Sequence, residues 1–205
     1  LVRSLGKARL NRINRMLKHH GNSQLNGDAP MALWMVQLGL SVELQPKPYS
    51  ALYSVDKRLK RLAQQSGKNL ISLETPEVLS LFHKLPEKTV LRSIDLLVAY
   101  PKQTVAANQK MIEFYRKGQT RALWQHAWND PMQRKMLAAD RKIWRDFTAD
   151  VLIKQRNENW LPKLTAQLQQ QPSMIAVGTL HLFGEHGLIT LLRQQGYTVT
   201  PIPSH

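Results

Sequence analysis

The 205-residue chain carries 29 Lys and Arg residues against 14 Asp and Glu residues, a formal net charge of +15, and 42% of its residues are hydrophobic. This composition predicts one compact, strongly basic domain and excludes a collagen-like or low-complexity chain. The absence of cysteine excludes a disulfide scaffold, a thiol nucleophile and a thiolate zinc site. No apolar run approaches the ~18 residues of a membrane-spanning helix, since the longest candidate, residues 31–40, is interrupted by Gln37 and Gly39.

The chain begins at Leu1 in a pattern typical of the middle of a helix, with apolar side chains at helical spacing and basic side chains opposite. We therefore expect that a segment precedes Leu1 and that the domain is N-terminally incomplete. A signal peptide or transit peptide would lie in such a segment, so the residues present do not decide the compartment.

Two helices are the first elements expected after the loop at residues 21–30, which is rich in Gly, Asn and Pro. Residues 31–40 form an apolar segment that predicts a buried helix. Ser54 is suited to cap a second helix, whose apolar stripe recurs at helical spacing and ends at Gly67.

A short buried strand is predicted at residues 70–73, and it ends at Glu74. Thr75 followed by Pro76 is typical of an N-cap with proline at the first helical position. Glu74 is therefore expected at a junction between a strand and a helix.

The remaining pattern predicts helices from about residue 76 to 171, a strand at 174–177, a helix at 188–194 and a strand at 197–199. The expected fold class is α/β (mixed α+β). Strands from both ends of the chain would form a central sheet around a large helical insertion, within a single domain over residues 1–205. Functional groups in such folds gather at the carboxyl ends of strands, which favours a site near the two strand-to-helix junctions.

The densest polar segment is G-T-L-H-L-F-G-E-H-G at residues 178–187, directly after a predicted strand. A histidine bracketed by glycines at a strand end suits metal coordination or acid–base chemistry, although a glycine turn with solvated histidines gives the same pattern. The spacing from His181 to His186 is one residue longer than the inverted zincin motif, and no H-E-x-x-H is present. A conventional zincin is therefore disfavoured.

Residues 175–188 and their continuation at 191–199 resemble the C-terminal signature of the TraB/PrgY/GumN family. That signature has a G-x-x-H, here Gly178 and His181, and a tail of the form L-L-x-x-x-G-Y-x-V. Further matches follow in the family's order: Val55-Asp56, Leu73-Glu74-Thr75, and Gln155-Arg156-Asn157 with Trp160. The resemblance extends from about residue 31 to 203.

The resemblance implies a fold similar to those of the Tiki proteases and of the erythromycin esterase and ChaN-like proteins. It implies a metal-dependent hydrolase, above all a peptidase cleaving peptide bonds in a peptide or protein substrate, with Mn²⁺ or Co²⁺ as the metal and Zn²⁺ as a further option. It also favours a bacterial periplasmic or cell-envelope protein, with the cytoplasm as the alternative location. The first G-x-x-H of the paired motif has no counterpart among the residues present.

On this resemblance His181 would be a neutral imidazole metal ligand, Glu74 a carboxylate ligand or general base, and Arg156 a fixed cation that holds a carboxylate or an oxyanion. Without the resemblance, the expected partner of Arg156 is Asp150 or Glu158 on a solvated helix face. Lesser candidates are residues near these positions: Asp56, Asn157, Gly178, Glu185 and His186. Capping of a helix explains an acid such as Asp56 better than chemistry does.

The basic charge supports a different interpretation, a noncatalytic binding protein that engages an anionic partner. The charge favours an anionic membrane surface as that partner. The family resemblance implies a polysaccharide or a peptide pheromone as further options. Arginines interleave with tryptophans in the helical section, a combination found in nucleic-acid-binding proteins. The spacing of Leu123, Trp124 and Trp128 is that of a packed helix face, so nucleic acid is disfavoured as a partner.

Overall fold

The structure is a computed structural model that describes residues 2–50 and 53–202. Helices form its regular structure. The α-helices are α1 (Val2–Leu5), α2 (Lys7–His19), α3 (Leu33–Glu43), α4 (Val55–Gln65), α5 (Glu87–Ala99), α6 (Pro101–Arg116), α7 (Thr120–Trp128), α8 (Ala138–Asp146), α9 (Arg156–Gln170) and α10 (Leu188–Gln194). Helices of the 3₁₀ type lie at Pro76–Lys84, Pro131–Lys135 and Thr179–His181, and a π-helix lies at Phe147–Gln155. Within these two ranges no helix has the length and apolar character needed to cross a membrane.

The larger core lies among α2, α3 and α5. Apolar side chains at helical spacing on α2 turn inward, and Ile13 at their centre is fully buried. It meets the buried faces of α3 and α5, on which Val36 and Ile94 are also buried. The predicted buried helix over residues 31–40 is confirmed as α3, shifted by two or three residues.

Two arginines of α2 interrupt its apolar stripe because they pair with a carboxylate on α5. Arg9 Nε and Nη2 donate to the two carboxylate oxygens of Asp95 at 2.9 Å, and Arg12 Nη2 donates to Asp95 Oδ1 at 2.9 Å. The Asp95 hydrogen bond holds the pKa of Arg9 above its usual range. Part of the basic N-terminal segment thus docks α2 onto α5.

Helix α4 confirms the boundaries expected from the sequence. The Ser54 hydroxyl accepts a hydrogen bond from the Lys57 backbone N–H at 3.4 Å, and Gly67 adopts φ +61° just beyond the helix end. None of the residues of α4 is buried. The helix therefore keeps its amphipathic face exposed.

The expected α/β fold with a central sheet is wrong. The described ranges contain no β-strand. The segments at residues 70–73, 174–177 and 197–199 have no regular secondary structure, and no backbone hydrogen bond joins one of them to another in these ranges. A strand is defined by its ladder to a neighbour, so these segments are not strands.

The apolar run at residues 174–177, which suggested a strand, has another physical cause. Residues 173–177 alternate between half-buried and exposed positions. The inward side chains Ile175 and Val177, together with Leu73, pack against a second core cluster formed by Trp160, Leu164 and Leu188. Packing of this segment on α9 and α10 thus produces the period of two without a sheet.

Candidate functional site

An ion pair joins the turn after residues 70–73 to the start of α9. Arg156 Nε donates to Glu74 Oε1 at 2.8 Å and Arg156 Nη2 donates to Glu74 Oε2 at 2.9 Å. This two-point geometry is the strong form of a guanidinium–carboxylate pair, and both side chains are only about a quarter exposed. Burial alone would raise the pKa of Glu74, but the Arg156 hydrogen bonds and charge outweigh it and hold that pKa below its usual range.

Trp160, one helical turn after Arg156, contacts both the arginine and a histidine. The Arg156 guanidinium carbon lies 5.0 Å from the centroid of the indole, and the His181 ring centroid lies 4.5 Å from it. The nearby indole also helps to lower the pKa of Glu74. The indole N–H is buried and lies outside ordinary hydrogen-bond geometry with every described residue. Trp160 thus holds the cation and the imidazole at a fixed spacing within a largely apolar wall.

Asn157 is fully buried and binds the segment that carries His181 at three points. Its Nδ2 donates to the backbone oxygen of His181 at 3.0 Å and to that of His186 at 2.7 Å. Its Oδ1 lies 2.7 Å from His181 Nδ1. One side chain of α9 therefore sets both the path of the 181–186 loop and the orientation of the imidazole.

These contacts decide the tautomer of His181. Both amide hydrogens of Asn157 point to carbonyl oxygens, so its Oδ1 can only accept, and the proton must lie on His181 Nδ1. Nε2 then carries the lone pair. Nε2 makes no hydrogen bond with any residue in the part of the chain that the structure describes.

The His181 imidazole is neutral at neutral pH. Burial is the main cause, the Arg156 charge adds to it, the Glu74 charge opposes it, and the net result lowers the pKa of His181 to about 4. His181 is 8% exposed, which fits a group that loses hydration on folding. The site thus offers an unprotonated nitrogen beside a guanidinium.

Two glycines allow the tight turn that follows His181. Gly184 has φ +90°, a conformation that side chains disfavour. At Gly187 a Cβ would lie 2.5 Å from the carbonyl carbon and oxygen of Phe183, so a side chain cannot be accommodated without moving the backbone. The glycines expected around the histidines therefore have a steric role in this turn.

The structure brings Glu74, Arg156, Asn157 and His181 together and leaves the other candidates outside. Asp56 is an exposed acid in the first turn of α4, where a carboxylate favours the helix N-terminus. The remaining three have separate surroundings: Gly178 caps the 3₁₀ turn at Thr179–His181, Glu185 is exposed, and the His186 ring lies 3.6 Å from Glu158 Oε1.

The donor set for a metal is incomplete. Within residues 2–50 and 53–202 no group of three or more His, Cys, Asp or Glu residues is arranged to hold an ion. His181 Nε2 has a free lone pair and suits a metal, whereas both oxygens of Glu74 are engaged by Arg156. The described residues alone therefore do not fit a resident divalent metal.

Two features of the site were missed from the sequence. Asn157 was only a lesser candidate, yet it makes three of the site's hydrogen bonds, and Trp160 was assigned no part in the site. The spacing of Arg156 and Trp160 by four positions on a helix was an available indication that they share a face.

Comparison with known proteins identifies the family of the chain. The family model for the TraB/PrgY/gumN family matches residues 1–201, and the chain belongs to this family. The chain is similar to the YbaP proteins of Escherichia coli (strain K12) and Shigella flexneri, being 29% identical to each over 163 residues, which are 78% of this chain and 56% of each relative. The chain thus spans about half the length of these relatives. No solved structure matches it.

Proposed function

We propose that the chain carries part of a hydrolytic site that cleaves peptide bonds. The observation that supports this most is the neutral His181 imidazole, fixed by Asn157 with its lone pair on Nε2 and flanked by Arg156. A neutral imidazole nitrogen and a guanidinium are the two groups that can orient a water nucleophile and stabilise a developing oxyanion.

Each side chain would have a defined part in the reaction. His181 Nε2 accepts a hydrogen bond from the attacking water, while the Nδ1–H bond to Asn157 keeps the ring from rotating. Arg156 uses Nε and Nη2 on Glu74, and its Nη1 makes only a 3.4 Å hydrogen bond to the Leu152 backbone oxygen. Nη1 is thus the donor best placed to bind the carbonyl oxygen of the substrate, and Glu74 keeps the guanidinium in position.

A divalent metal, Mn²⁺, Co²⁺ or Zn²⁺, is proposed as an alternative partner of His181 Nε2, and it would take the lone pair that otherwise accepts the hydrogen bond from water. The residues described here supply too few donors for it, so any complete metal site needs ligands from elsewhere in the full-length protein. For this reason we assign no reaction step to the metal.

The test uses the full-length protein with each of the three metals, and it measures hydrolysis of a fluorogenic peptide library together with bound metal. His181→Ala should lose at least about 100-fold in kcat/KM, the range expected for a group that handles the attacking water. His19→Ala, a change of an exposed histidine on α2, is the control and should keep full activity. Equal turnover in His181→Ala and wild type would refute the proposal.

A second candidate function is binding to an anionic membrane surface, and helix α4 favours it. Four cations at Lys57, Arg58, Lys60 and Arg61 are exposed on this helix. Val55 and Leu62 on its apolar stripe are 54% and 47% exposed. A helix with basic and apolar faces that is not packed into the core suits the interface of a bilayer containing anionic lipids.

The test for this second function is co-sedimentation with vesicles. The full-length protein should bind vesicles of mixed phosphatidylcholine and phosphatidylglycerol at low salt, and the double variant Lys57→Gln/Arg61→Gln should bind several-fold more weakly. The control is Lys102→Gln/Lys117→Gln, which removes two exposed cations from the region of α6. Equal weakening by both double variants would assign the binding to net charge and would contradict a role for α4.

A further inference from the structure

The helix that carries Arg156 and Asn157 contains an uncommon segment just before them. The residues at the two ends of the π-helix, Asp146, Phe147, Gln155 and Arg156, have φ between −71° and −56° and ψ between −45° and −41°. These are right-handed helical values. Helix α8, the π-helix and α9 therefore follow one another without a break.

Two parts of the fold hold this long helix, one on each side of the π-helix. On the α8 side, the buried Asp140 carboxylate accepts hydrogen bonds from α5, from Thr89 Oγ1 at 2.8 Å and from Arg92 Nε and Nη2. On the α9 side, Asn157 binds the loop that carries His181. The number of residues between the two anchors, Asp140 and Asn157, thus decides whether both can be satisfied at once.

Helix geometry makes the π form necessary for both anchors. Each residue of an α-helix turns the side-chain direction by about 100°. A π-helix closes its hydrogen bonds over five residues instead of four, so each turn takes up about one residue more. With the nine residues of this segment in the α form, everything after Gln155 would be turned by roughly 100° relative to α8. Arg156 and Asn157 would then face away from Glu74 and His181.

The π form is also the less favoured one for the chain itself. π-helices are rare, occur mostly as single turns within α-helices, and are frequent at functional sites. Here nine residues adopt this form directly before the arginine of the ion pair. The contacts of the two anchors therefore compete with the local preference for an α-helix, and each outcome gives Arg156 a different direction.

We propose that the π-helix is a conformational switch for the candidate site. In the π form, Arg156 pairs with Glu74 and Asn157 holds the loop of His181. In the α form of the same residues, these side chains of α9 turn away and both contacts are lost. The segment contains about one residue more than an α-helix needs to satisfy both anchors, and this surplus residue gives the helix two registers. The proposal goes beyond the proposed function, because it concerns when the site is assembled and not what it cleaves.

The test changes the number of residues in the segment at Asp150, which is exposed. Deletion of Asp150 should convert the segment to an α-helix that satisfies both anchors. An alanine inserted after Asp150 adds a second surplus residue and should break the ion pair. Asp150→Ala keeps the length and is the matched control. Arginine side-chain NMR on the full-length protein reads both sides of the segment, since Arg156 Nε donates to Glu74 and Arg92 Nε donates to Asp140.

Exchange of the Arg156 Nε–H with water measures how often its ion pair opens. The deletion should slow this exchange severalfold relative to wild type, because an α-helical segment no longer turns α9 away from the site. The insertion should speed it up at least about tenfold, the effect of losing a hydrogen bond to a charged group. Asp150→Ala should match wild type. The Arg9 Nε–H, which donates to Asp95 at 2.9 Å between α2 and α5, should exchange alike in all of these proteins and reports that the domain is folded.

Couplings across backbone hydrogen bonds identify the form of the helix directly. They should join residues five positions apart in wild type and four positions apart in the deletion. A deletion variant that does not fold or that loses the ion pair, an insertion variant that keeps it, or equal exchange in the deletion and wild type would overturn the proposal. None of these measurements needs a substrate, so an absence of peptide cleavage would count against the proposed function alone.

Discussion

Asn157 and His181 are 24 positions apart, and the Oδ1 of the first lies 2.7 Å from the Nδ1 of the second. This contact connects α9 to the glycine-rich turn and fixes which ring nitrogen carries the proton. Because Asn157 also holds two backbone oxygens of the same turn, the position of the imidazole and the path of the loop depend on one side chain.

Asn157→Ala should destabilise the fold by about 2–4 kcal/mol, because it leaves a buried carbonyl oxygen, a partly buried one and an imidazole N–H without their partner. Urea denaturation measures the difference. Asn159→Ala, an exposed asparagine two positions later on the same helix, should change the free energy of unfolding by less than ~0.5 kcal/mol. Equal losses in the two variants would show that Asn157 contributes nothing beyond helix propensity.

The low pKa of His181 predicts that stability depends on pH. The pKa is about 4 in the folded protein and 6.5 as an unperturbed group, so between these values the unfolded chain binds more protons. The free energy of unfolding should therefore fall as the pH drops from about 6.5 to about 4, by about 3 kcal/mol at most.

The contribution of His181 is isolated by comparing unfolding of wild type and His181→Gln at about pH 7.5 and about pH 4.5. Subtraction removes the contributions of the other titrating groups. The difference between the two proteins should shrink at the lower pH. A difference that does not change with pH would mean that His181 titrates alike in the folded and unfolded chains.

Opposite charges flank His181 and should move its pKa in opposite directions. The Arg156 charge lowers the pKa of His181 and the Glu74 charge raises it. Arg156→Gln should therefore raise the midpoint of the His181 titration in NMR, and Glu74→Gln should lower it further. Lys102→Gln, far from the site in sequence and exposed, serves as the control. Shifts of the same sign in the two site variants would contradict this electrostatic arrangement.

Two glycines should respond oppositely to alanine. Gly187→Ala places a Cβ 2.5 Å from the Phe183 backbone and should cost at least about 2 kcal/mol in the free energy of unfolding. At Gly39, inside α3, a Cβ would meet nothing within 4 Å, so Gly39→Ala should stabilise by about 0.5–1 kcal/mol through helix propensity. Thermal unfolding of both variants tests the two predictions. An unchanged free energy of unfolding in Gly187→Ala would show that the backbone of the turn moves to accommodate the side chain.

Local features of the fold could be predicted from the sequence, and its long-range pairing could not. Ser54 and Gly67 bound α4 as their capping chemistry requires, and Thr75 with Pro76 begins a helix as expected. The sheet was predicted wrongly because a short apolar run indicates a buried segment and does not identify what covers it. In this structure α9 and α10 cover that segment at Ile175 and Val177.

The same limit applies to the candidate site. Local reasoning gave Arg156 a partner on its own helical segment, at Asp150 or Glu158, whereas the structure pairs it with Glu74, 82 positions away. Glu74 accepts from Arg156 through both carboxylate oxygens, and this two-point pair is favoured over a single contact with an acid nearby in the sequence. The burial of Asn157 likewise depends on the loop at 181–186, which no spacing within α9 reveals.

The protonation state of His181 is the most direct test of this account, and nitrogen chemical shifts of histidine-labelled protein measure it. His181→Gln identifies the resonance by its loss. We expect that at neutral pH the proton lies on Nδ1, that Nε2 is unprotonated, and that the ring titrates near pH 4. A titration near the unperturbed 6.5, or a proton on Nε2 at neutral pH, would contradict it.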